Sequence, residues 1–341
     1  MTEPPLELAP RALRTRDLVI GAVIALAVAA GLIVAAGGAV GFGDLRDVLR
    51  DGNFGWLAVC VVAQVVVFSG YAMAMREAIA ADDGPRLSDP LVLRLTLASF
   101  ATTQVFAFGG IAGLVVVFWA MRKCGMNSET AAVRLIGLNT AVYLVFGFIG
   151  FGAAAAALLA DTVPLGMSVP WFAGIPIVLF VAGWFTEPQR VGRWRWRPLA
   201  VGVGAAVWVR RAINDRAALP MFFGAICYWL ADIVSLGAAL HAFGARFAVS
   251  ALVLCYTTGY LVQSLPIPLV ATGGVDAATA VLLHTGAGIP LELAIVGVAA
   301  HRVFAFWLPV VPGAICAVTL PAAARSIEEQ VRVSEIAGHE R

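Results

Sequence analysis

Charge is what this sequence has least of. Only 13% of its 341 residues are Asp, Glu, Lys or Arg, and Lys123 is its one lysine. Soluble domains carry roughly twice that share. The net charge of +2 is too small to point to nucleic acid. Paired cysteines are also missing. Cys60, Cys124, Cys227, Cys255 and Cys316 stand singly, with no CxxC or Cys/His spacing to suggest zinc or a redox pair. No cofactor is expected. There is no nucleotide-binding glycine loop, no GxSxG and no HExxH. No polar stretch is long enough to form a soluble catalytic domain. The expectation is therefore a protein that is not an enzyme.

What remains is hydrocarbon. Hydrophobic residues make up 61% of the chain, and the mean hydropathy is +0.90. These values predict an all-α polytopic membrane protein. Apolar segments fall near 18–40, 54–75, 91–108, 111–121, 129–159, 171–186, 219–241, 247–264, 275–285 and 290–320. A crossing needs roughly 20 residues, so about eight of these are expected to span. The run from Leu18 to Val40 is too long for the core of a cleaved signal peptide and reads as a retained helix. One transmembrane domain is expected over 18–321, between a tail at 1–17 and a second tail at 322–341.

The segments at 111–121 and 275–285 are too short to cross alone. Each follows a longer apolar segment and a glycine pair, Gly109-Gly110 in one case and Gly273-Gly274 in the other. Each pair of segments reads as a hairpin that dips in and returns. The two hairpins look like copies, giving a repeat over about 54–159 and another over about 219–320. Arg11, Arg14 and Arg16 place the N-terminus inside. The loop at 160–170 has no basic residue and should lie outside. The linker at 187–218 carries seven arginines and should lie inside. On this count the repeats are inverted, both termini are cytoplasmic, and the protein sits in the cell membrane. Arg193, Arg195, Arg197, Arg210 and Arg211, interleaved with Trp194, Trp196 and Trp208, read as an interfacial stretch facing anionic lipid. An ordinary positive-inside loop would look the same.

Charge reappears where it is most costly, between Gln263 and Gly313. Pro266, Pro268, Gly273 and Gly274 interrupt the apolar run there, and Asp276, His301 and Arg302 follow. Non-helical backbone at membrane depth survives only inside protein or beside water. Asp232 lies mid-helix in CYWLADIVSLG. A carboxylate there costs several kcal/mol unless it is paired, protonated or hydrated. Asp276 starts a short helix, so a capping role competes with a functional one. Arg302 falls about 12 residues beyond Pro290, near mid-bilayer by the 1.5 Å rise. It should pair with Asp276 or Asp232, or face a wet cavity that takes an anionic group. His301 points to another face of the helix, and a packing role competes there. Arg134 and Asn139 occupy similar depth in the first copy, where Arg134 is expected to pair and Asn139 to pack. Tyr256, Tyr260 and Gln263 either line the second hairpin or bond between helices.

The segment YWLADIVSLGAALHAFG (228–244), followed by LPIP (265–268), GGVDAA (273–278), GIPLELA (288–294) and HRVFAFWLPVVPG (301–313), resembles the transmembrane region of lysylphosphatidylglycerol synthases. That family is flippase-like and also occurs as stand-alone chains. Asp232, Pro268, Gly273, Gly274, Asp276 and Arg302 match its characteristic positions. Two residues depart from it: many members have Glu where Asp276 stands and Tyr where His301 stands. The resemblance implies translocation of a polar lipid, such as an aminoacylated phosphatidylglycerol, between leaflets. These residues show no aminoacyl-transferase domain, so the chain is not expected to make a lipid itself.

The sequence therefore predicts a transporter for an anionic or zwitterionic phospholipid, with Asp232, Asp276, Arg302, His301, Arg134 and Tyr256 as substrate residues. Gly109, Gly110, Pro266, Pro268, Gly273 and Gly274 would be its hinges. Its partners would be phospholipid, a second copy of the chain or a lipid-synthesis enzyme, with no nucleic acid and no metal. The rival readings are a proton-coupled small-solute transporter and a non-transporting scaffold for a lipid-modifying enzyme.

Overall fold

The computed structural model describes residues 43, 50, 52–82, 84–105, 111–187, 197–262 and 274–339, and it contains no strand among them. The predicted first span at 18–40 lies outside the described residues, as do Gly109, Gly110, Arg193, Arg195, Pro266, Pro268 and Gly273. The helices are α1 (Gly55–Ala80), α2 (Asp89–Val105), α3 (Ile111–Lys123), α4 (Ser128–Ala160), α5 (Leu165–Phe185) and α6 (Arg197–Asn214). After a 3-10 turn at Arg216–Ala218 come α7 (Leu219–Ala242), α8 (Val249–Leu261), α9 (Gly274–Ala287) and α10 (Leu291–Arg302). A π turn at Val303–Trp307 leads into α11 (Leu308–Val318), and α12 (Leu320–His339) closes the chain.

The protein is an all-α polytopic membrane protein. Among the described residues, five helical segments are long and apolar enough to cross a bilayer: Gly55–Ala80, Ser128–Ala160, Leu165–Phe185, Arg216–Ala242 and Leu291–Val318. At 1.5 Å per residue, 26 residues extend about 39 Å, past the roughly 30 Å hydrocarbon core. Helices α3, α8 and α9 have 13, 13 and 14 residues and are too short to do so alone.

Two boundaries differ from the sequence reading. Helix α5 starts at Leu165, inside the expected loop at 160–170, because Pro170 is accommodated within the helix. The expected C-terminal tail at 322–341 is largely helix α12, whose Leu320, Ala323 and Ile327 are buried. Its apolar residues recur at helical spacing, so burying one face favours the helix.

Helices α1 and α7 pack together along their length and run antiparallel. Asn53, just before α1, donates its N–H to the carbonyl of Ala242 at the end of α7 (2.6 Å). Further along, Gly70 and Gly224 bring the backbones into contact. A Cβ on Gly224 would stand 2.4 Å from the Gly70 carbonyl oxygen, and one on Gly70 would stand 2.6 Å from the Gly224 oxygen. Small residues permit such an approach, and in hydrocarbon dispersion from close packing is the main attraction left.

Other contacts are reciprocal between the two halves of the chain. Helix α4 packs on α8, while α11 packs on α2. Helix pairs α2–α3 and α8–α9 form the two hairpins.

Hydrogen bonds fix which loops share an end. At one end, Arg94 donates to the carbonyl of Thr319 (2.7 Å), Lys123 to Glu328 (2.7 Å) and Arg134 to the carbonyl of Ile79 (2.9 Å). At the other end, besides the Asn53 bond, Thr162 and Ser250 hydroxyls lie 2.9 Å apart. Hairpin α2–α3 therefore opens at the first end and α8–α9 at the second.

Helix α6 lies against α4 at the first end. It buries Val203, Ala205, Val209 and Ala212 and exposes Arg210, Arg211 and Ile213. Arg210 reaches the Thr186 hydroxyl oxygen at 3.4 Å, beyond the end of α5.

Candidate functional site

Five helices bring their polar side chains to one depth of the bundle. Asp232 lies thirteen positions into α7 and Gln64 nine positions into α1. Tyr256 is on α8, and His301 and Arg302 end α10. Asp276 lies in the first turn of α9, which packs against both α8 and α10. A carboxylate in that position meets the free N–H groups and the positive end of the helix dipole.

An ion pair and a histidine–carboxylate contact stand side by side. Arg302 Nε is 3.2 Å from Asp276 Oδ2. His301 Nε2 is 3.7 Å from Asp232 Oδ1, and its Nδ1 is 3.2 Å from the Ser235 hydroxyl. Asp232 also accepts hydrogen bonds from Gln64 Nε2 at Oδ1 (2.9 Å) and from the Tyr256 hydroxyl at Oδ2 (2.5 Å). The Arg302 guanidinium lies 4.6 Å from the centroid of Phe306, within cation–π range.

Arg302 and Asp276 thus carry each other's counter-charge, and two side-chain donors satisfy Asp232, which offsets much of the cost of burying them. The side chains keep partial access all the same: 27% for Arg302, 17% for Asp232 and 16% for Asp276. A guanidinium held by one carboxylate at its Nε still has four N–H groups, enough to grip two oxygens of a phosphate.

The backbone next to the cluster is irregular. Directly after Arg302 the chain forms the π turn Val303–Trp307, a kind of insertion found often at functional sites. It re-registers α11 relative to α10, and α11 then packs on α2 through Gly313. A Cβ there would stand 2.5 Å from the Leu97 carbonyl oxygen.

All five tyrosines of the chain gather beside this cluster. Tyr143, Tyr228, Tyr256 and Tyr260 have ring centroids 4.7–6.5 Å from that of Trp229, and Tyr71 adjoins Tyr228 at 5.6 Å. The Trp229 indole N–H donates to the carbonyl of Val142 (2.8 Å), which ties α7 to α4.

The structure separates Arg134 from this group. It lies six positions into α4 at the first end, with its side chain 7% exposed, and it pairs with Asp82 at 3.4 Å. Asn139 donates to its own helix, at the carbonyl of Leu135 (2.9 Å). The cluster therefore draws on the second half of the chain plus Gln64. Gln64, Ser235 and Phe306 were not singled out from the sequence. Gln64 was the readable one, a lone amide in the apolar run WLAVCVVAQVVVF. Among the described residues no group of His, Cys, Asp and Glu could hold a metal ion.

Residues 22–313 match the family described as Lysylphosphatidylglycerol synthase TM region. The chain belongs to that family. Membership makes it a multi-pass membrane protein related to lipid handling. No curated protein matches the chain. For this lysylphosphatidylglycerol synthase TM-region protein, the matched span contains every residue of the Asp232–Arg302 cluster, and it stops before α12.

Proposed function

We propose that this protein translocates a polar phospholipid, with an anionic or zwitterionic headgroup such as an aminoacyl-phosphatidylglycerol, between the leaflets of the cell membrane. The observation that carries the reading is the Arg302–Asp276 pair, set at mid-depth where α9 begins and the π turn follows. A fixed guanidinium there can take a phosphate, while the carboxylate keeps it neutral when the site is empty. The acyl chains would stay in the bilayer.

The two hairpins open at opposite ends, and the contacts α4–α8 and α2–α11 are reciprocal. Both features support two inverted repeats that rock about the site and expose it to alternate leaflets. The first end carries Arg122, Lys123, Arg210, Arg211, Arg216 and Arg325, and the positive-inside rule turns it to the cytoplasm.

The test is transfer of a fluorescent headgroup-labelled lipid across proteoliposome membranes. Arg302→Ala should abolish transfer while the protein stays monodisperse, and Arg302→Lys should retain a fraction of it. Transfer at the wild-type rate in Arg302→Ala removes the assignment.

The His301–Asp232 pair favours a second reading, a proton-coupled small-solute transporter, because these groups can exchange a proton within the bundle. Uptake driven by a pH gradient without lipid transfer would select it.

A further inference from the structure

We propose that the protein holds a second headgroup site, at the first end of the bundle, for a zwitterionic phosphoethanolamine group. A cavity of about 220 Å³ opens there between α4, the loop after α1 and helix α6. Its walls include Asp82, Asn127, Glu129, Thr130, Arg134 and Trp208. It is smaller than the roughly 300–1,000 Å³ of pockets for drug-sized ligands, and so suits a headgroup.

The cavity is built around Arg134. Its Nη1 donates to the carbonyl of Ile79 (2.9 Å), so the guanidinium is fixed. The loop closes over it at Gly84, where a Cβ would stand 2.0 Å from the Ile79 oxygen and 3.1 Å from Arg134 Nη1. Its counter-ion is held differently. Asp82 is 3.4 Å away with its side chain 73% exposed, on backbone at φ 48°, a left-handed conformation uncommon for Asp. A buried cation with a loose, exposed counter-ion can exchange that partner for a phosphate oxygen.

The start of α4 adds positive potential, with Asn127 Oδ1 already accepting from the Thr130 N–H (2.8 Å). Negative charge lines the same cavity: Glu129 is exposed in the first turn of α4, and Asp82 becomes available once displaced. Trp208 is seated on Gly137, where a Cβ would stand 2.5 Å from its ring, and it offers an aromatic wall to an ammonium. A purely anionic group would meet two carboxylates, and a purely cationic one would meet Arg134 and the helix start. A phosphate joined to an ammonium satisfies both signs. This site is independent of translocation at Arg302.

The test uses the full chain in nanodiscs of phosphatidylglycerol, with thermal unfolding read against added O-phosphorylethanolamine, inorganic phosphate or ethanolamine. O-phosphorylethanolamine should stabilise the protein, with each half-ligand at least about tenfold weaker. Glu129→Gln should weaken binding about tenfold, as expected for losing one charged hydrogen bond, without lowering the unliganded melting temperature, whereas Asp82→Asn, which removes the Arg134 counter-ion, should lower that temperature and O-phosphorylethanolamine should restore it. Asparagine adopts positive φ readily, so Asp82→Asn keeps the loop. Phosphatidylethanolamine in the nanodisc should compete with the soluble probe if the ligand is a lipid. Protection without competition keeps the site and assigns it a free phosphoethanolamine. Arg302→Ala should leave binding intact, which separates this outcome from any failure of transport. Equal protection by phosphate alone, no protection, or unchanged binding in Glu129→Gln would each overturn the proposal.

Discussion

Gln64 on α1 and Asp232 on α7 meet across the antiparallel helix pair at 2.9 Å, so the carboxylate's partners come from both halves of the chain. Tyr256 supplies the donor on the other oxygen. Asp232 is therefore an acceptor on both sides. In Asp232→Asn the amide can keep Gln64 on its oxygen only by turning its nitrogen to Tyr256, whose hydroxyl must then accept and loses the acceptor for its own hydrogen. The expected cost is about 1–3 kcal/mol, that of one unsatisfied buried group, together with loss of His301 pairing. Thermal unfolding in detergent checks the first effect and lipid transfer the second. Equal stability of wild type and Asp232→Asn would show that the donors are not engaged.

The Gly70–Gly224 crossing sets the spacing of α1 and α7. A methyl on Gly224 would meet the Gly70 oxygen at 2.4 Å, and backbone cannot swing aside as a side chain can. Gly224→Ala should destabilise the fold by about 1–3 kcal/mol, and Gly224→Leu should give aggregated protein on size exclusion. Gly152, with nothing near its would-be Cβ, is the control. Gly152→Ala should be neutral or better.

Helix α12 is held to the end of α3 by the Lys123–Glu328 pair and to Ser88 by Gln330. The Lys123 ammonium keeps the Glu328 carboxyl below its ordinary value of 4.5. A lowered folded value makes the pair's contribution complete above the ordinary value and lost as pH falls through the lowered one. Amide exchange in α12 should therefore rise as pH drops below about 4.5 after correction for intrinsic rates, and also in high salt. Glu328→Gln should show the raised exchange at neutral pH and no further acid step.

Ser168 on α5 has a buried hydroxyl without a hydrogen-bond partner, alone in this among the described buried side chains. Removing it relieves an unsatisfied group at little cost in volume. Ser168→Ala should leave the melting temperature equal to wild type or higher. A clear drop would mean that the hydroxyl is bonded in the membrane.

The candidate cluster was legible in part. Asp232, Asp276, His301 and Arg302 stand out because charge is rare in this sequence and costly at their depth. Their partners were less visible. Arg302 had two candidate carboxylates, and only the packing of α9 against α10 selects Asp276. For His301 the sequence leaves a packing role in competition with a functional one, and the structure sets it between Asp232 and Ser235. Arg134 looked like part of the same group by depth, but α4 carries it to the first end. Asp82 and Trp208 gave no sign of facing Arg134, because interfacial loops and Trp are common in any membrane protein.

Composition and its long unbroken apolar runs determined that the protein is helical and lies in a membrane, because such runs satisfy their backbone in hydrocarbon within each segment, whereas barrel strands would alternate apolar and polar residues. It also marked the few ionised side chains that need an explanation. Tertiary structure decided which of them meet. Partner choice depends on helix rotation, on the Gly70–Gly224 contact and on the π turn after Arg302, and these are set by packing between segments far apart in the chain.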